Sequence, residues 1–186
     1  MQYEIQQQRC SIFRFYNFLL MEKYPVVITL QLEEAAAAFF TEQRKAYFPA
    51  HINYLEAHLT LFHALPAEVI IKTTLQNVCT RKAFDVQVNG IKNIGRGVAY
   101  SVSSAELISL HRSLQKEWEA FLTGKDKQPL WPHITVQNKV TAFKALKLYQ
   151  QLSAGFKTFS VKATGINTWY YLGGPWKQIE FFPFQQ

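Results

Sequence analysis

Cysteine is scarce in this chain of 186 residues: Cys10 and Cys79 are far apart and form no C-x-x-C. That excludes a disulfide framework and a thiolate zinc site, and makes the cytoplasm the expected setting. No H-E-x-x-H and no carboxylate-plus-histidine cluster occurs, so neither a metal nor another cofactor is expected. No apolar run approaches the roughly 18 residues of a membrane span, and no membrane association is expected. Charge is thin as well, with 18% Asp, Glu, Lys and Arg and no dense basic run, although the net charge is +7. A basic balance favours polyanions such as nucleic acid or nucleotides, but scattered lysines do not say which.

What the chain has in abundance is apolar surface: 48% hydrophobic residues and fifteen Phe. This excludes disorder and suits one globular unit, while the length is too short for two full-sized domains. Residues 1–23 read separately. "MQYEIQQQR" is polar and aperiodic, and "CSIFRFYNFLLMEKYP" is a poor signal peptide because Arg14 interrupts it and no A-x-A-like site follows. Met21 stands just before the first convincing strand, so an optional or poorly ordered extension is expected, with one domain over residues 24–184.

Strand patterning covers Val26–Leu32, 58–65, 83–91, 97–103, 133–137 and a closing hairpin, 159–172 with 176–184, around Gly173 and Gly174. Helices are expected over 33–49, 67–81, 104–122 (Ser104 as N-cap, Gly124 near the end) and 142–152. The order repeats as helix, strand, helix, strand, strand. "HLTLF" at 58 and "HITVQ" at 133 are offset by 75 residues, and the same offset maps Phe84, Val86, Gly90 and Ile91 onto Phe159, Val161, Gly165 and Ile166. An internal duplication follows.

Alternate side chains of a strand share a face, so His58 lies beside Thr60, and His133 beside Thr135, above buried aliphatic residues. By the same parity Phe62 shares the face of His58, Gln137 and Lys139 share that of His133, and His63 takes the opposite face as a structural or strand-end residue. His51 and His111 read as surface residues. Two imidazoles with two hydroxyls suit attack on a phosphodiester. One imidazole takes a proton, the other gives one, and the hydroxyls bond non-bridging oxygens. Arg96, between two glycines in "NIGRG", and Trp131, just before Pro132 and His133, are further candidate substrate contacts.

The paired signatures resemble those of the 2H phosphoesterase superfamily, in its 2'-5' RNA ligase-like branch, over nearly all of residues 24–184. The resemblance implies an α+β, bilobal duplicated fold: two similar lobes, each with an antiparallel sheet and helices, around a cleft. It implies 2',3'-cyclic phosphodiesterase or RNA ligase chemistry on RNA termini or a small cyclic nucleotide. His58 and His133 would then be the acid/base pair and Thr60 and Thr135 the phosphate-binding residues. Some members carry Arg shortly after the second signature; here Gln137 and Lys139 stand there. The expected reaction is metal-independent hydrolysis of a 2',3'-cyclic phosphate to a 2'-phosphate. Ligation, or nucleotide binding without catalysis, would use the same cleft. A monomer with no obligate protein partner is expected, since two lobes already close a cleft.

Overall fold

The computed structural model describes residues 24–66 and 69–186, so the expected extension over 1–23 lies outside the described residues. The elements are β1 (Val26–Leu32), α1 (Glu34–Tyr47), β2 (Leu59–Leu65), α2 (Val69–Val78), β3 (Phe84–Asn93), β4 (Val98–Ser103), α3 (Ala105–Glu117), β5 (His133–Gln137), α4 (Ala142–Ala154), β6 (Phe159–Tyr171) and β7 (Trp176–Pro183). The architecture is α+β.

All seven strands belong to one antiparallel sheet in the order β2-β1-β6-β3-β4-β5, with β7 added on β6. The six-strand order is a palindrome under the repeat. The unit is β-α-β-α-β, first β1 to β3 and then β4 to β6, and each half of the sheet takes its third strand from the other unit. β2 and β5 therefore occupy equivalent ends. The two lobes share a continuous sheet through the long β6, where the family resemblance implies a sheet in each. The repeat boundary also moves: β4 opens the second unit rather than closing the first, and β7 has no counterpart.

Although β2 and β5 end the strand order, they approach one another, and α1 packs on β5. The sheet is curled so that its two signature-bearing ends come together, with His58 and His133 close enough for their charges to act on one another. Strand twist, accumulated over six strands, is the physical basis of such curling.

Local signals explain the helices. Ser104 caps α3, its hydroxyl accepting from Leu107 N at 3.3 Å, and Thr141 caps α4 in the same way. Helix α3 ends sooner than its pattern predicts: Trp118 is fully buried and leaves helical geometry, and a 3-10 turn, Glu119–Phe121, follows. His111 is not a surface residue. It is 2% exposed, its ring is stacked at 4.6 Å on Phe62, and its Nε2–H donates to the Leu61 carbonyl at 3.1 Å.

Candidate active site

The two signature strands carry the same irregularity. On β2, Thr29 faces Thr60 and Ile28 faces Phe62, so Leu61 is an extra residue. On β5, Ala99 faces Thr135 and Val98 faces Gln137, so Val136 is extra. These bulges are 75 residues apart, at matching positions of the repeat. A bulge reverses the alternation of faces beyond it. Phe62 therefore turns into the core, fully buried and edge-on to Trp118 at 5.1 Å. Gln137 turns inward as well, to 7% exposure, with a buried Oε1 that has no hydrogen-bond partner among the described residues. Simple parity places both on the cleft face, and neither lies there.

The same bulge brings His63 to the side of His58 and Thr60. Its ring is about half exposed, and Nδ1 lies 3.0 Å from Oδ1 of Asp126, itself 3% exposed. Asp126 also accepts the backbone N–H groups of His63 and Ala64 at 2.9–3.0 Å. Burial pushes its carboxyl up, but the bonds from the His63 ring and from these two N–H groups outweigh that and hold it below its ordinary range.

His58 and His133 are set identically. Nδ1 of His58 lies 2.8 Å from the Glu56 carbonyl, and Nδ1 of His133 lies 2.8 Å from the Trp131 carbonyl. A carbonyl only accepts, so Nδ1 carries the proton in both rings, and neutral imidazoles present Nε2 as an acceptor. Burial lowers both pKa values, that of His58 to about 4. The charges of His133 and His63 also disfavour the His58 cation, and that of His63 disfavours the His133 cation. The three rings are thus electrostatic neighbours. Each of the paired histidines rests on a tryptophan: Trp131 stacks on His133 at 4.2 Å, and Trp176, from β7, leans on His58 at 4.6 Å. The Thr60 and Thr135 side chains are partly exposed, and neither hydroxyl has a hydrogen bond among the described residues.

Arg44 is absent from the sequence-based site although it carries a signal. It falls on the stripe Ala36, Phe40, Arg44 that α1 buries, and is 6% exposed. Its Nη1 donates to the Thr135 carbonyl at 2.9 Å, and its Nε to Asn53 Oδ1 at 2.9 Å and the Leu55 carbonyl at 3.0 Å. All three acceptors are neutral, and burial lowers its pKa to about 10, so it stays a cation at neutral pH. Arg44 thereby ties the strand of the second signature to the segment leading into the first. Nothing in the spacing announces Asp126 or Trp176, which arrive from distant loops and strands.

Arg96 and Lys139 lie at the other end of β5 from His133. Arg96 Nε is 3.4 Å from the Val140 carbonyl, and Lys139 sits in a turn with φ of 59°. Beside His58 lies a cavity of about 310 Å³, lined among others by Tyr54, Glu56, Asn167, Trp169 and Trp176. Its apolar walls and few polar groups have the character of a site for a flat polar ring. Among the described residues, no group of three or more His, Cys, Asp or Glu side chains is placed to hold a metal ion. No described helix is long and apolar enough to cross a membrane.

Residues 32–175 match the family model of the 2'-5' RNA ligase superfamily. No curated protein sequence matches the chain. Among solved structures, TT0787 of Thermus thermophilus is similar with a TM-score of 0.59 at 16% identity, over 86% of this chain and 97% of that one. E. coli LigT complexed with 3'-AMP is similar with a TM-score of 0.53 at 15% identity, over 88% of this chain and 99% of that one. A protein described as a phosphoesterase is similar with a TM-score of 0.53 at 16% identity, over 88% and 99%. At such identities the likeness is one of fold.

Proposed function

The chain belongs to the 2'-5' RNA ligase superfamily, of the 2H phosphoesterase type, and on that premise we propose that it hydrolyses 2',3'-cyclic phosphates of RNA termini or nucleotides. The observation that carries this reading is the matched pair of imidazoles. Each has Nδ1 tied to the carbonyl two residues before it, and among the described residues neither Nε2 nor the hydroxyl of the neighbouring threonine has a hydrogen-bond partner.

In the proposed reaction, a water oxygen attacks phosphorus while Nε2 of one histidine takes its proton. The bond from phosphorus to the 3'-oxygen breaks, and that oxygen receives a proton from Nε2–H of the other histidine. The product is a 2'-phosphate. The hydroxyls of Thr60 and Thr135 donate to the non-bridging oxygens, on which charge accumulates. His58, whose pKa lies near 4, suits the base, leaving His133 as the acid. No step calls for a metal. With a 5'-hydroxyl in place of water the same steps yield a 2'-5' linkage, which is the ligase variant of this chemistry. Nucleotide binding is supported by the aromatic cavity beside His58 and by a relative of the same fold solved with 3'-AMP.

The test is incubation with each 2',3'-cyclic nucleotide in EDTA, with products identified by phosphorus NMR. A 2'-phosphate that vanishes with His58→Ala and with His133→Ala is the expected result. If those variants bind nucleotide but the wild-type protein turns over neither nucleotides nor cyclic-phosphate RNA ends, the protein is a binding module.

A further inference from the structure

His63 is the candidate that the paired signatures do not absorb. The bulge at Leu61 sets it on the cleft side of β2, two residues past the turn of phase, where its ring is half exposed. Its Nδ1 is engaged by a buried carboxylate that also accepts the backbone N–H groups of His63 and Ala64. Asp126 is fixed in turn, because its carbonyl accepts from Gln115 Nε2 at 2.8 Å. The ring orientation is therefore determined from behind, and Nε2 is the nitrogen left to a ligand. Groups facing this ring are Asp126 from the 3-10 turn Gly124–Lys127, His58 from its own strand and His133 from β5, and Lys125 of the same turn acts on His133.

We propose that His63, oriented by Asp126, is a third phosphate-binding residue of the cleft, donating from Nε2 to an anionic oxygen of the substrate. The inference rests on the phosphoesterase reading of the same cleft and deepens it. Donation from Nε2 while Nδ1 is held by the carboxylate needs a proton on both nitrogens, and a bound phosphate oxygen in front and the carboxylate behind are the two acceptors for them. A buried carboxylate with a ring nitrogen bonded to it is the usual way of presenting the other nitrogen at a set angle. No arginine follows the second signature in this sequence; of the residues that stand there, Gln137 is turned inward and Lys139 sits in a turn. His63 stands in that place from the first signature instead, its ring nitrogen held by Asp126. In the second repeat the equivalent residue is Asn138, so the third position is polar but not cationic, and the site is asymmetric.

Phosphorus NMR titration with inorganic phosphate tests this without turnover, comparing the full chain with His63→Gln and His63→Lys. Glutamine leaves the backbone N–H groups on Asp126, and lysine supplies a cationic donor at the same position. A dissociation constant roughly tenfold weaker in His63→Gln, with most of the loss restored in His63→Lys, is expected. Equal affinity in wild type and His63→Gln overturns the proposal, as does the absence of phosphate binding by wild type. A loss that His63→Lys fails to restore assigns His63 to structural support and overturns it too. Turnover of cyclic nucleotides with unchanged phosphate affinity in His63→Gln removes this inference alone. Phosphate binding that depends on His63 in a protein without turnover removes only the hydrolytic reading.

Discussion

Arg44 and Thr135 are 91 residues apart in sequence, yet the buried guanidinium of one donates to the carbonyl of the other at 2.9 Å. The same guanidinium holds Asn53 and Leu55, three to five residues before His58. One buried cation thus sets the spacing between the two signatures.

Replacing Arg44 should affect both stability and catalysis. Arg44→Met fills similar volume but leaves three acceptors unpaired, at a cost of about 2–4 kcal/mol. Arg44→Lys reaches one of them at best and should recover less than half of that cost. Urea denaturation measures the loss, and a fall in kcat larger than the rise in KM in folded Arg44→Lys would reflect the disturbed pairing.

Acidification should weaken the fold through His58. Its folded pKa, about 4, is below the ordinary 6.5, so between these values the unfolded chain binds a proton that the folded one does not. The contribution is complete above pH 6.5 and lost as pH falls toward 4, amounting to at most about 3 kcal/mol. Denaturation of wild type and His58→Gln across pH 4 to 7 isolates it: the gap between their slopes should close above pH 6.5.

The proposed roles also predict the pH–rate profile. A neutral His58 and a protonated His133, both with lowered pKa values, place the kcat/KM optimum on the acid side of 6.5, with the descending acid limb near 4. An optimum above pH 7.5 would contradict the assignment of His58 as base.

Asp126 should matter for stability out of proportion to its place in a surface turn. Asp126→Ala strands the backbone N–H groups of His63 and Ala64 and should cost about 2–4 kcal/mol. Asp126→Asn keeps an acceptor and should cost less. Because the folded carboxyl lies below its ordinary 3.8, the stability it provides is present above that value and drains away as pH falls through the folded pKa. The asparagine variant should lack that acid-side loss, which chemical denaturation below pH 4 reads directly.

The repeat-related glycines Gly90 and Gly165 should respond differently. A Cβ on Gly90 meets nothing nearer than Ser101 Cβ at 4.0 Å, whereas one on Gly165 meets the Phe182 carbonyl and the Phe181 ring at 2.5 Å. Gly90→Ala should leave thermal stability within about 0.5 kcal/mol, while Gly165→Ala should cost more than about 2 kcal/mol. The difference arises from β7, which lies on β6 and has no counterpart on β3.

Much of this is legible without the structure. Period-two patterning locates the seven strands, Ser104 and the sequence after it locate α3, and the 75-residue offset finds the duplication together with both His-x-Thr pairs. These are local properties, set by side-chain spacing along a few residues of backbone. Tertiary structure decided the rest. The bulges at Leu61 and Val136 exist only in the pairing of β2 with β1 and β5 with β4, and they move Phe62 and Gln137 into the core and His63 to the cleft. Asp126 reaches His63 across 63 residues, and Trp176 reaches His58 from the far end of the chain. Alternation of faces can be counted along a strand only until its partner inserts a residue, and partners are chosen by the folded sheet.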